Sequence, residues 1–403
     1  MKDDRLYDVA IVGGGIVGMS LAIGLAGAGL ATALVERTPL AMLGDPGRDG
    51  RGSAVAAGSQ RILEGIGVWE LLGSEAEPIR EIRVADNSAH GFLHYDFSDV
   101  GDGPLGWIVE NERLRDALLR RVFSDDIAIF EREVDGFLSA PRFSILKLKG
   151  SLDIKARLLV AADGRNSPLR EIAGIPVISW NYPQISMVCT IQHEVSHFGI
   201  AQEHFQRGGP FAVLPMTENR ASIVWTEQTN VATDILSLSD ELFVKSLQNR
   251  LGKALGKIQV LSQRWAYPLS LVHATRYTAE RFALIGDAAH AIHPIAGQGL
   301  NLGIRDVAVL AEVIVDAARL GLDPGLSNVL NRYQSWRRPD NLLMIGVTDS
   351  LNRLFSNGFP PLKLARDAGL SAVHHINPLK RFLMRHAMGV VGPLPRLSRG
   401  EPL

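Results

Sequence analysis

The first apolar segments of the chain follow a strand–helix–strand pattern. Residues 7–12 form a short apolar run of the kind seen in buried strands, and a glycine cluster at 13–15 follows it. Residues 16–29 have the composition of a helix, and residues 31–35 have that of a second buried strand. This alternation predicts an α/β unit at the N-terminus.

A membrane span is the competing interpretation of the same segment. No charged residue lies between Asp8 and Glu36, and a run of that length could cross a bilayer. Its many glycines lower its hydrophobicity, and its division into short pieces leaves no continuous span. Asp3 and Asp4 stand where a signal peptide needs basic residues. We therefore expect a globular domain here.

The glycine cluster has the spacing G-x-G-x-x-G between a strand and a helix. Gly13 permits the tight turn, Gly15 lets a pyrophosphate approach the backbone, and Gly18 lets the helix pack closely on the strand. The helix start adds free N–H groups and partial positive charge. Glu36 ends the second strand, where it can accept hydrogen bonds from a ribose. These features predict dinucleotide binding; the alternative is a tight turn without a ligand.

Two later strands also end in an acidic residue. Residues 158–162 lead into Asp163, and residues 282–285 lead into Gly286 and Asp287. Ligands of open α/β sheets bind at the carboxyl ends of strands, so both aspartates are placed for a cofactor. Either one could instead be a turn or helix-capping residue.

A glycine-rich loop then leads into a long predicted helix. Apolar or small residues recur at helical spacing from 300 to 318. The opposite face carries the polar residues Arg305, Glu312, Asp316 and Arg319. The start of this helix is a second place where a helix dipole can stabilise negative charge, such as that of a reduced flavin.

Composition narrows the class of protein. The 403 residues include 40 glycines, 46% hydrophobic residues and a formal net charge of -1, as in a globular protein with a large core. The charge balance gives no electrostatic reason to expect nucleic acid as a partner. The single cysteine, Cys189, excludes an intramolecular disulfide. No C-x-x-C motif occurs, and although residues 193–197 read H-E-V-S-H, they lie outside the one helix predicted in that part of the chain, so we predict no metal.

Together these segments resemble the class A flavoprotein aromatic hydroxylases, the para-hydroxybenzoate hydroxylase superfamily. They are most similar to the ubiquinone-biosynthesis hydroxylases of the 2-octaprenyl-6-methoxyphenol hydroxylase type. That family's signature, H-P-x-A-G-Q-G-x-N-x-G-x-x-D, is met at every fixed position between His293 and Asp306. Further matches are Asp49-Gly50-Arg51 with Ala54, Val109-Glu110-Asn111, and Tyr333 with Arg337.

The resemblance implies a Rossmann-like α/β FAD-binding domain, a substrate domain containing a β-sheet, and a helical C-terminal region. The expected FAD-binding domain is discontinuous, at 1–72, 101–175 and 275–320. The substrate domain is expected at 73–100 and 176–274, and the C-terminal helices at 321–403. Between 176 and 274 we predict strands at 185–192, 211–216 and 221–228 and one helix at 239–249.

The resemblance also implies residue roles. The glycine turn is expected to hold the FAD pyrophosphate, Glu36 the adenosine ribose and Asp287 the ribityl chain. The candidate catalytic residues, beside the flavin and the substrate, are His293, Pro294 and Gln298, whereas His290 is expected to be structural. The full expected cofactor-binding set is Gly13, Gly15, Val17, Gly18, Glu36, Arg37, Arg51, Asn111, Val134, Asp163, Gly286, Asp287, Gly297, Gly299, Leu300 and Asn301.

The reaction implied is that of the family. NAD(P)H would reduce FAD, O2 would add at flavin C4a, and the hydroperoxide would hydroxylate the ring of a polyprenylated phenol in ubiquinone biosynthesis. The resemblance implies no separate Rossmann site for NAD(P)H, which is expected to dock transiently. Paralogues acting at ring carbons C1, C5 or C6 share these motifs, so the position of hydroxylation stays open.

Three other functions are alternatives to this one. A flavin halogenase would carry Trp-x-Trp and a lysine after the glycine turn, but no two of the six tryptophans have that spacing, and no lysine lies between Lys2 and Lys147. A hydroxylase of a small soluble aromatic substrate would be expected to lack the full signature. A flavoprotein scaffold subunit of a quinone-biosynthesis complex would not need intact flavin motifs.

The C-terminal stretch is basic and partly apolar. From residue 374 onward it carries Lys380, Arg381, Arg385, Arg396 and Arg399 against Glu401, with apolar residues such as Phe382 between them. This composition is compatible with contact to a lipid surface or a partner protein, and equally with an ordinary solvated helix end. His374 and His375 are expected at the surface. The expected location is cytoplasmic; peripheral contact with the inner membrane, a homo-oligomer and a complex with other ubiquinone-biosynthesis proteins stay open.

Overall fold

The computed structural model describes residues 5–45, 47, 49–86, 92–99, 101, 103–150, 152–355 and 376–403. The strands are β1 (Leu6–Val12), β2 (Thr32–Glu36), β3 (Gly52–Ala56), β4 (Glu77–Ile79), β5 (Glu81–Asp86), β6 (Phe92–Asp96), β7 (Gly106–Glu110), β8 (Ile127–Glu131), β9 (Val134–Ser139), β10 (Ser144–Leu148), β11 (Leu152–Ala161), β12 (Val177–His193), β13 (Ile200–Gln206), β14 (Gly209–Met216), β15 (Arg220–Gln228), β16 (Ile258–Val260), β17 (Trp265–Ala274), β18 (Thr278–Ala279), β19 (Phe282–Leu284) and β20 (His290–Ala291). The helices are α1 (Ile16–Gly27), α2 (Leu40–Leu43), α3 (Ala57–Gly65), α4 (Asn111–Ser124), α5 (Pro168–Ile172), α6 (Thr229–Leu236), α7 (Asp240–Leu251), α8 (Gln298–Arg319), α9 (Ser327–Phe355) and α10 (Asn377–Ala387).

The first sheet is the Rossmann-like part of the fold. Its order is β18-β19-β11-β1-β2-β8, and β1, β2, β8, β11 and β19 pair in parallel. The charge-free N-terminal segment forms β1, α1 and β2, with Ala10 and Leu34 fully buried. Helix α1 ends two residues earlier than predicted, and Gly29 follows with φ +86°. Parallel strands buried on both faces explain the continuous apolar runs of the sequence.

The second sheet has the order β20-β17-β12-β15-β14-β13-β5-β6, with β16 also paired to β12. Its side chains alternate between two faces. One face, which includes Met187, Ile223 and Trp225, packs in a cluster with Phe243 and Leu247 of α7. The prediction of one helix between 176 and 274 was wrong, because α6 precedes α7. A third, small sheet has the strand order β3-β7-β4.

Helix α8 is more enclosed than its sequence pattern suggests. The predicted polar face is covered: Arg305 is buried and pairs with Asp340 of α9, at 3.1 Å. Further along, the Arg396 guanidinium pairs with Asp316, and the Arg396 N–H donates to Glu312 at 2.6 Å. The C-terminal segment therefore covers this face and neutralises its charges.

The described part of the C-terminal region contains two long helices, and turns and bends follow the second one from residue 388 to 395. Helix α9 runs through Pro339 without ending, and α10 follows at Asn377–Ala387. The predicted breaks at Pro360 and Pro361 and the predicted surface position of His374 and His375 lie outside the described residues. Among the residues that the structure describes, none of the helices combines the length and apolar composition needed to cross a membrane.

Candidate active site

The glycine turn between β1 and α1 is tightly packed at two positions and open at the third. A Cβ at Gly13, whose φ is +115°, would lie 2.2 Å from the Ala162 carbonyl oxygen. A Cβ at Gly18 would lie 1.9 Å from the Gly13 carbonyl oxygen. A Cβ at Gly15 would meet no atom within 4 Å, and α1 begins there without a side-chain cap. The turn thus leaves an open space in front of free helix N–H groups, where an anionic group can bind.

Glu36 and Val17 connect the glycine turn to neighbouring parts of the fold. The Glu36 carboxylate accepts hydrogen bonds from the Gly14 N–H at 2.7 Å and the Thr38 N–H at 3.0 Å. Each oxygen keeps lone-pair capacity for a further donor such as a ribose hydroxyl. The Val17 side chain fills the space that a Cβ would need at Gly286, at 3.2 Å, and at Gly303, at 2.7 Å. Val17 thereby packs α1 against the later glycine turn and α8.

Two further residues of the expected set have less distinctive surroundings. Arg37 is exposed directly after β2, and Val134 is half-buried at the start of β9. Nothing in their packing tests the contacts that the resemblance implies. Their roles stay predictions.

A charged cluster stands at the loop before β3. The Arg51 guanidinium binds Asp49 through two hydrogen bonds of 2.7 and 2.8 Å and lies 5.0 Å above the Tyr267 ring. Asn111 and Arg115 also donate to Asp49, at 2.9 and 3.1 Å. Burial by itself would raise the pKa of Asp49, but the hydrogen bonds and charge of Arg51 outweigh it and lower the pKa to about 2. The loop is thereby fixed against β17 of the second sheet.

Asp163 stands at the carboxyl end of β11, where the resemblance places a cofactor contact. One carboxylate oxygen accepts from the Leu169 N–H at 3.3 Å. The other oxygen, Oδ1, is buried without a hydrogen-bond partner among the described residues. Burial raises the pKa of Asp163 above its ordinary value. A buried unpartnered carboxylate oxygen can accept a hydrogen bond from a ligand.

The turn after β19 presents Asp287 to solvent. Gly286 has φ +59°, and its N–H donates to Asp306 Oδ2 at 3.1 Å. Asp287 itself is exposed, next to the start of α8 in the fold. A carboxylate in this position can contact a bound hydroxylated chain.

The start of α8 forms a second open helix terminus. Gly297 has φ +62°, and a Cβ there would lie 3.0 Å from that of Ala54. A Cβ at Gly299 would meet no atom within 4 Å, and no side chain caps the helix. Gln298 is buried, Leu300 is half-buried, and Pro294 is exposed beside them. The open terminus can stabilise negative charge on a ligand.

The Asn301 side chain has a structural contact that the sequence did not indicate. Its Oδ1 accepts from the Ala56 N–H at 2.9 Å, and its Nδ2 donates to the Ala54 carbonyl at 2.8 Å. These bonds hold the first turn of α8 on β3. The Asn301 side chain is therefore engaged in structural hydrogen bonds, and a contact of its backbone with a cofactor stays a prediction.

His293 is an uncharged side chain beside the glycine-rich loop that precedes α8. It is fully buried, and its Nε2 donates to Gln184 Oε1 at 3.4 Å. Its ring meets Tyr182 edge-on, with ring centres 5.0 Å apart. Burial lowers the pKa of His293 to about 4. The imidazole is therefore neutral near pH 7 and can exchange hydrogen bonds without adding charge.

Asp306, to which the sequence analysis assigns no role, is the centre of a buried polar network. His290 Nε2 donates to Asp306 Oδ2 at 2.6 Å, and Arg337 Nε donates to Oδ1 at 2.8 Å. Asn341 donates to the same oxygen at 3.3 Å. Burial would raise the pKa of Asp306, but the charges of His290 and Arg337 outweigh it and hold the pKa far below its ordinary value. The only signal for this role was its fixed place at the end of the signature.

A stretch of the second sheet turns uncharged side chains toward the glycine-rich loop. Leu214 packs in a cluster with Ala54, which contacts Gly297. By strand alternation the neighbouring positions of β14 and β15 share this face. Ser222 confirms the direction, because its Cβ would lie 3.4 Å from a Cβ at Gly52. The side chains of this stretch are Ala212, Leu214, Ser222, Val224 and Thr226. Arg220, bound to Glu110 at 2.6 Å, and Glu203, opposite Ala212, continue the same face.

One group of side chains away from this site has metal-ligand chemistry. Ligand atoms of Glu81, His94 and Asp96 lie within 4.8 Å of one another. Glu81 is already bound to Arg83 at 2.8 Å and to His94 at 3.1 Å. The expectation of no metal stays a prediction.

The comparisons identify the class of protein and then the family. The solved structure of p-nitrophenol 4-monooxygenase PnpA from Pseudomonas putida DLL-E4 matches with a TM-score of 0.78 and 18% identity, over 94% of this chain and 96% of that one. The fold is therefore that of the FAD-dependent monooxygenases. The family described as an FAD binding domain matches residues 6–340.

Relatives refine this assignment. The chain is 47% identical to ubiquinone hydroxylase UbiL of Rhodospirillum rubrum over 99% of its length and 94% of that protein. It is 36% identical to the 3-demethoxyubiquinol 3-hydroxylase of Escherichia coli over 95% of its length and 98% of that protein. The chain belongs to the FAD-binding-domain family and, within it, to the ubiquinone-biosynthesis hydroxylases.

Proposed function

We propose that the protein uses NAD(P)H and O2 to hydroxylate the aromatic ring of a polyprenylated phenol in ubiquinone biosynthesis. Bound FAD supplies the redox chemistry and the transfer of oxygen, while the chain binds, orients and shields the reactants. The relatives UbiL and 3-demethoxyubiquinol 3-hydroxylase support the pathway, because their similarity extends over almost the full chain.

The candidate site fits FAD at both of its ends. The open space at Gly15 and the α1 N-terminus would accept the pyrophosphate, with Glu36 beside it for the ribose. The open space at Gly299 and the α8 N-terminus would accept the flavin ring and stabilise negative charge on it. The Val17 side chain packs against both glycine turns, so one extended molecule can reach both.

The uncharged stretch of this sheet face carries the proposal for the substrate, because Arg220 on the same face is already paired with Glu110. The side chains Ala212, Leu214 and Val224 are apolar, and Ser222 and Thr226 offer only hydroxyl groups. A substrate with a carboxylate would lose hydration there without gaining a counter-charge, which is costly. A neutral phenol would bind without that penalty. The neutral His293 and its partner Gln184 are suited to orient such a ring without stabilising a charged one.

The roles proposed for His293, Pro294 and Gln298 are positional. Each is held at or next to the loop that precedes α8, and the first and last are buried. We propose that they shape the space between flavin and substrate and exclude water from it. No side-chain nucleophile is required by this chemistry.

A gene deletion tests the pathway. Mass spectrometry of quinone intermediates in the deletion strain should show accumulation of one under-hydroxylated polyprenyl phenol, and its structure would identify the ring position. An unchanged quinone profile would refute the pathway assignment.

Complementation separates catalysis from scaffolding. The variant Gly15→Glu places a negative charge where the pyrophosphate would bind, while Gly27→Glu changes an exposed glycine of the same helix. Gly15→Glu should fail to restore the quinone, and Gly27→Glu should restore it. Restoration by a flavin-free Gly15→Glu protein would favour the scaffold function instead.

The purified enzyme tests the substrate. NAD(P)H oxidation should be stimulated by a prenylated phenol in detergent, and 18O2 should label the product. Equal stimulation by a small soluble phenol that lacks the prenyl chain would favour the alternative substrate class.

A further inference from the structure

The exposed carboxylate of Asp287 has no contact of its own that fixes its direction. It stands in the short turn Gly286–Ala288 after β19, and no hydrogen bond or ion pair joins it to another of the described residues. The charge of Arg51 is near enough to act on it only through space. The backbone of the turn therefore decides where this side chain points.

The two peptide groups beside Asp287 are held by charged side chains that are themselves buried. On one side, the Gly286 N–H donates to Asp306 Oδ2 at 3.1 Å. On the other side, the Ala288 carbonyl accepts from the Arg170 guanidinium at 2.9 Å. Gly286 has φ +59°, a left-handed conformation that favours glycine. The turn thus has a defined shape before any ligand binds.

Asp306 is fixed in turn by donors from other elements. It lies on α8, is fully buried, and accepts from His290 at 2.6 Å and from Arg337 of α9 at 2.8 Å. Arg337 is anchored by a second bond, to Asp340 at 2.6 Å. The Asp306 carboxylate is therefore held from both sides, and its Oδ2 stays directed at the Gly286 N–H.

A buried ion pair such as Asp306 with Arg337 is not required for stability. Apolar side chains of similar volume often stabilise a protein as well, because two buried charges lose their hydration. What a carboxylate adds is the capacity to accept several hydrogen bonds in defined directions. At Asp306 one of these donors belongs to the turn that presents Asp287, and the others come from β20 and α9. The arrangement fits a role in geometry.

We infer that Asp306 is a positioning residue for the cofactor: by holding the Gly286 N–H, it keeps the Asp287 carboxylate directed at the hydroxyl groups of the ribityl chain of FAD. Arg337 acts through Asp306, so that α9 contributes to cofactor binding from a buried position. The inference rests on the part of the proposed function that assigns FAD to this site. It does not depend on the identity of the substrate.

The variant Asp306→Asn removes one acceptor oxygen at nearly unchanged volume. The amide has a single oxygen for the two sides of the network, and the charged Arg337 takes it in preference. The amide N–H groups then face the Gly286 N–H, which loses its acceptor. A charge-assisted hydrogen bond from Asp287 to the cofactor contributes about 10- to 150-fold to the Kd for FAD. Release of the turn should raise this Kd by at least about fivefold.

Release of FAD from the loaded full chain on dilution, followed by flavin fluorescence, measures the Kd. The decisive comparison is the same substitution in the Asp287→Ala protein. If Asp306 acts through Asp287, Asp306→Asn should change the Kd of that protein by less than about twofold. Arg337→Lys keeps the charge but loses the Nε bond to Asp306, and it should show the same dependence on Asp287 with a smaller rise. This second variant decides the question if Asp306→Asn does not fold.

A matched control lies at the other end of β19. Arg281 is buried just before this strand and binds Asp323 through two hydrogen bonds of 2.7 and 3.0 Å. Arg281→Lys removes a buried guanidinium of the same kind, away from the cofactor turn. It should lower the free energy of unfolding in urea, as should Arg337→Lys, but it should leave the Kd for FAD unchanged.

Two outcomes would overturn the inference. An equal rise in the Kd for Asp306→Asn with and without the Asp287 side chain would show that the network acts only through general stability. An equal rise in the Kd for Arg281→Lys and Arg337→Lys would lead to the same conclusion. Failure of the proposed function is a separate result: the dependence of the Kd on Asp306 would persist, but the loaded enzyme would not hydroxylate a prenylated phenol in detergent.

Discussion

Replacement of Gly15 by alanine should separate cofactor binding from folding. Gly15 has φ -74° and ψ 177°, an extended conformation that any residue adopts, and a Cβ there meets no atom within 4 Å. The alanine should therefore fit into the FAD-free protein without strain. In the FAD-bound protein, the added methyl group would occupy the space proposed for the pyrophosphate. Gly18 provides the contrast, because its Cβ would overlap a backbone oxygen at 1.9 Å.

The expected magnitudes differ for the two positions. At Gly15, the weaker capping by alanine, about 0.5–1 kcal/mol, is offset by the lower entropy of its unfolded chain, about 0.4–1 kcal/mol. The stability of the FAD-free protein should thus change by less than about 1 kcal/mol. Crowding of the phosphate by one methyl group costs about 1–3 kcal/mol, which is about a 5- to 150-fold rise in the Kd for FAD. Gly18→Ala should lower the stability of the FAD-free protein by at least about 3 kcal/mol.

Two measurements on the FAD-free protein check this reasoning. Urea unfolding followed by circular dichroism gives the free energy of unfolding, and quenching of flavin fluorescence on titration gives the Kd. Gly27→Ala is the control, because it adds a methyl group to open space in the same helix, away from the turn. The reasoning is refuted if Gly15→Ala binds FAD as tightly as Gly27→Ala, or if it unfolds as readily as Gly18→Ala.

Four further predictions follow from the site. Gly299→Ala should stabilise the FAD-free protein by up to about 1 kcal/mol through helix propensity, yet raise the Kd for FAD in the same titration. Asp287→Ala should lower the flavin content of the purified protein, measured by flavin absorbance, while the circular dichroism spectrum stays unchanged. Asp306→Asn should lower the free energy of unfolding in urea by about 3–5 kcal/mol, because it removes a charged partner of the buried Arg337 and the acceptor of the His290 hydrogen bond. Burial lowers the pKa of His273 and His293 to about 4, against about 6.5 in the unfolded chain. The contribution of each neutral histidine to the free energy of unfolding is therefore fully present above a pH of about 6.5. It is lost as the pH falls toward 4, by up to about 3 kcal/mol for each residue.

Each of these has a control or a contrary outcome. Asp116→Asn removes an exposed carboxylate whose partner, Arg120, is also largely exposed, so it should cost at most about 1 kcal/mol. If Asp306→Asn lowers the free energy of unfolding by an equally small amount, the buried network does not stabilise the fold as proposed. Wild-type flavin content in Asp287→Ala, or unchanged affinity in Gly299→Ala, would remove those residues from the cofactor site. A His293→Asn variant that keeps the full loss of stability between pH 6.5 and 4 would show that other groups cause it.

The sequence determined the parts of the protein that depend on neighbours along the chain. The need for glycine at position 18 is readable from the local sequence, because a Cβ there would lie 1.9 Å from the oxygen of Gly13 in the same turn. The close contact of Gly13 itself is with the distant Ala162. The helical period after residue 300 likewise predicted α8 almost to its ends. The signature from His293 to Asp306 indicated the family, which the comparisons confirmed.

Tertiary structure alone decided which distant residues meet. Strand β5 joins the second sheet by parallel pairing of Glu81 with Ile200, and no local pattern encodes that register. Arg305 looked like a surface residue because its own helix is amphipathic, and only the packing of α9 buries it beside Asp340. Asp306 became the centre of a network for the same reason, since Arg337 comes from another helix. Local periodicity shows which side of an element is apolar, but burial and charge pairing depend on what the rest of the chain places against it.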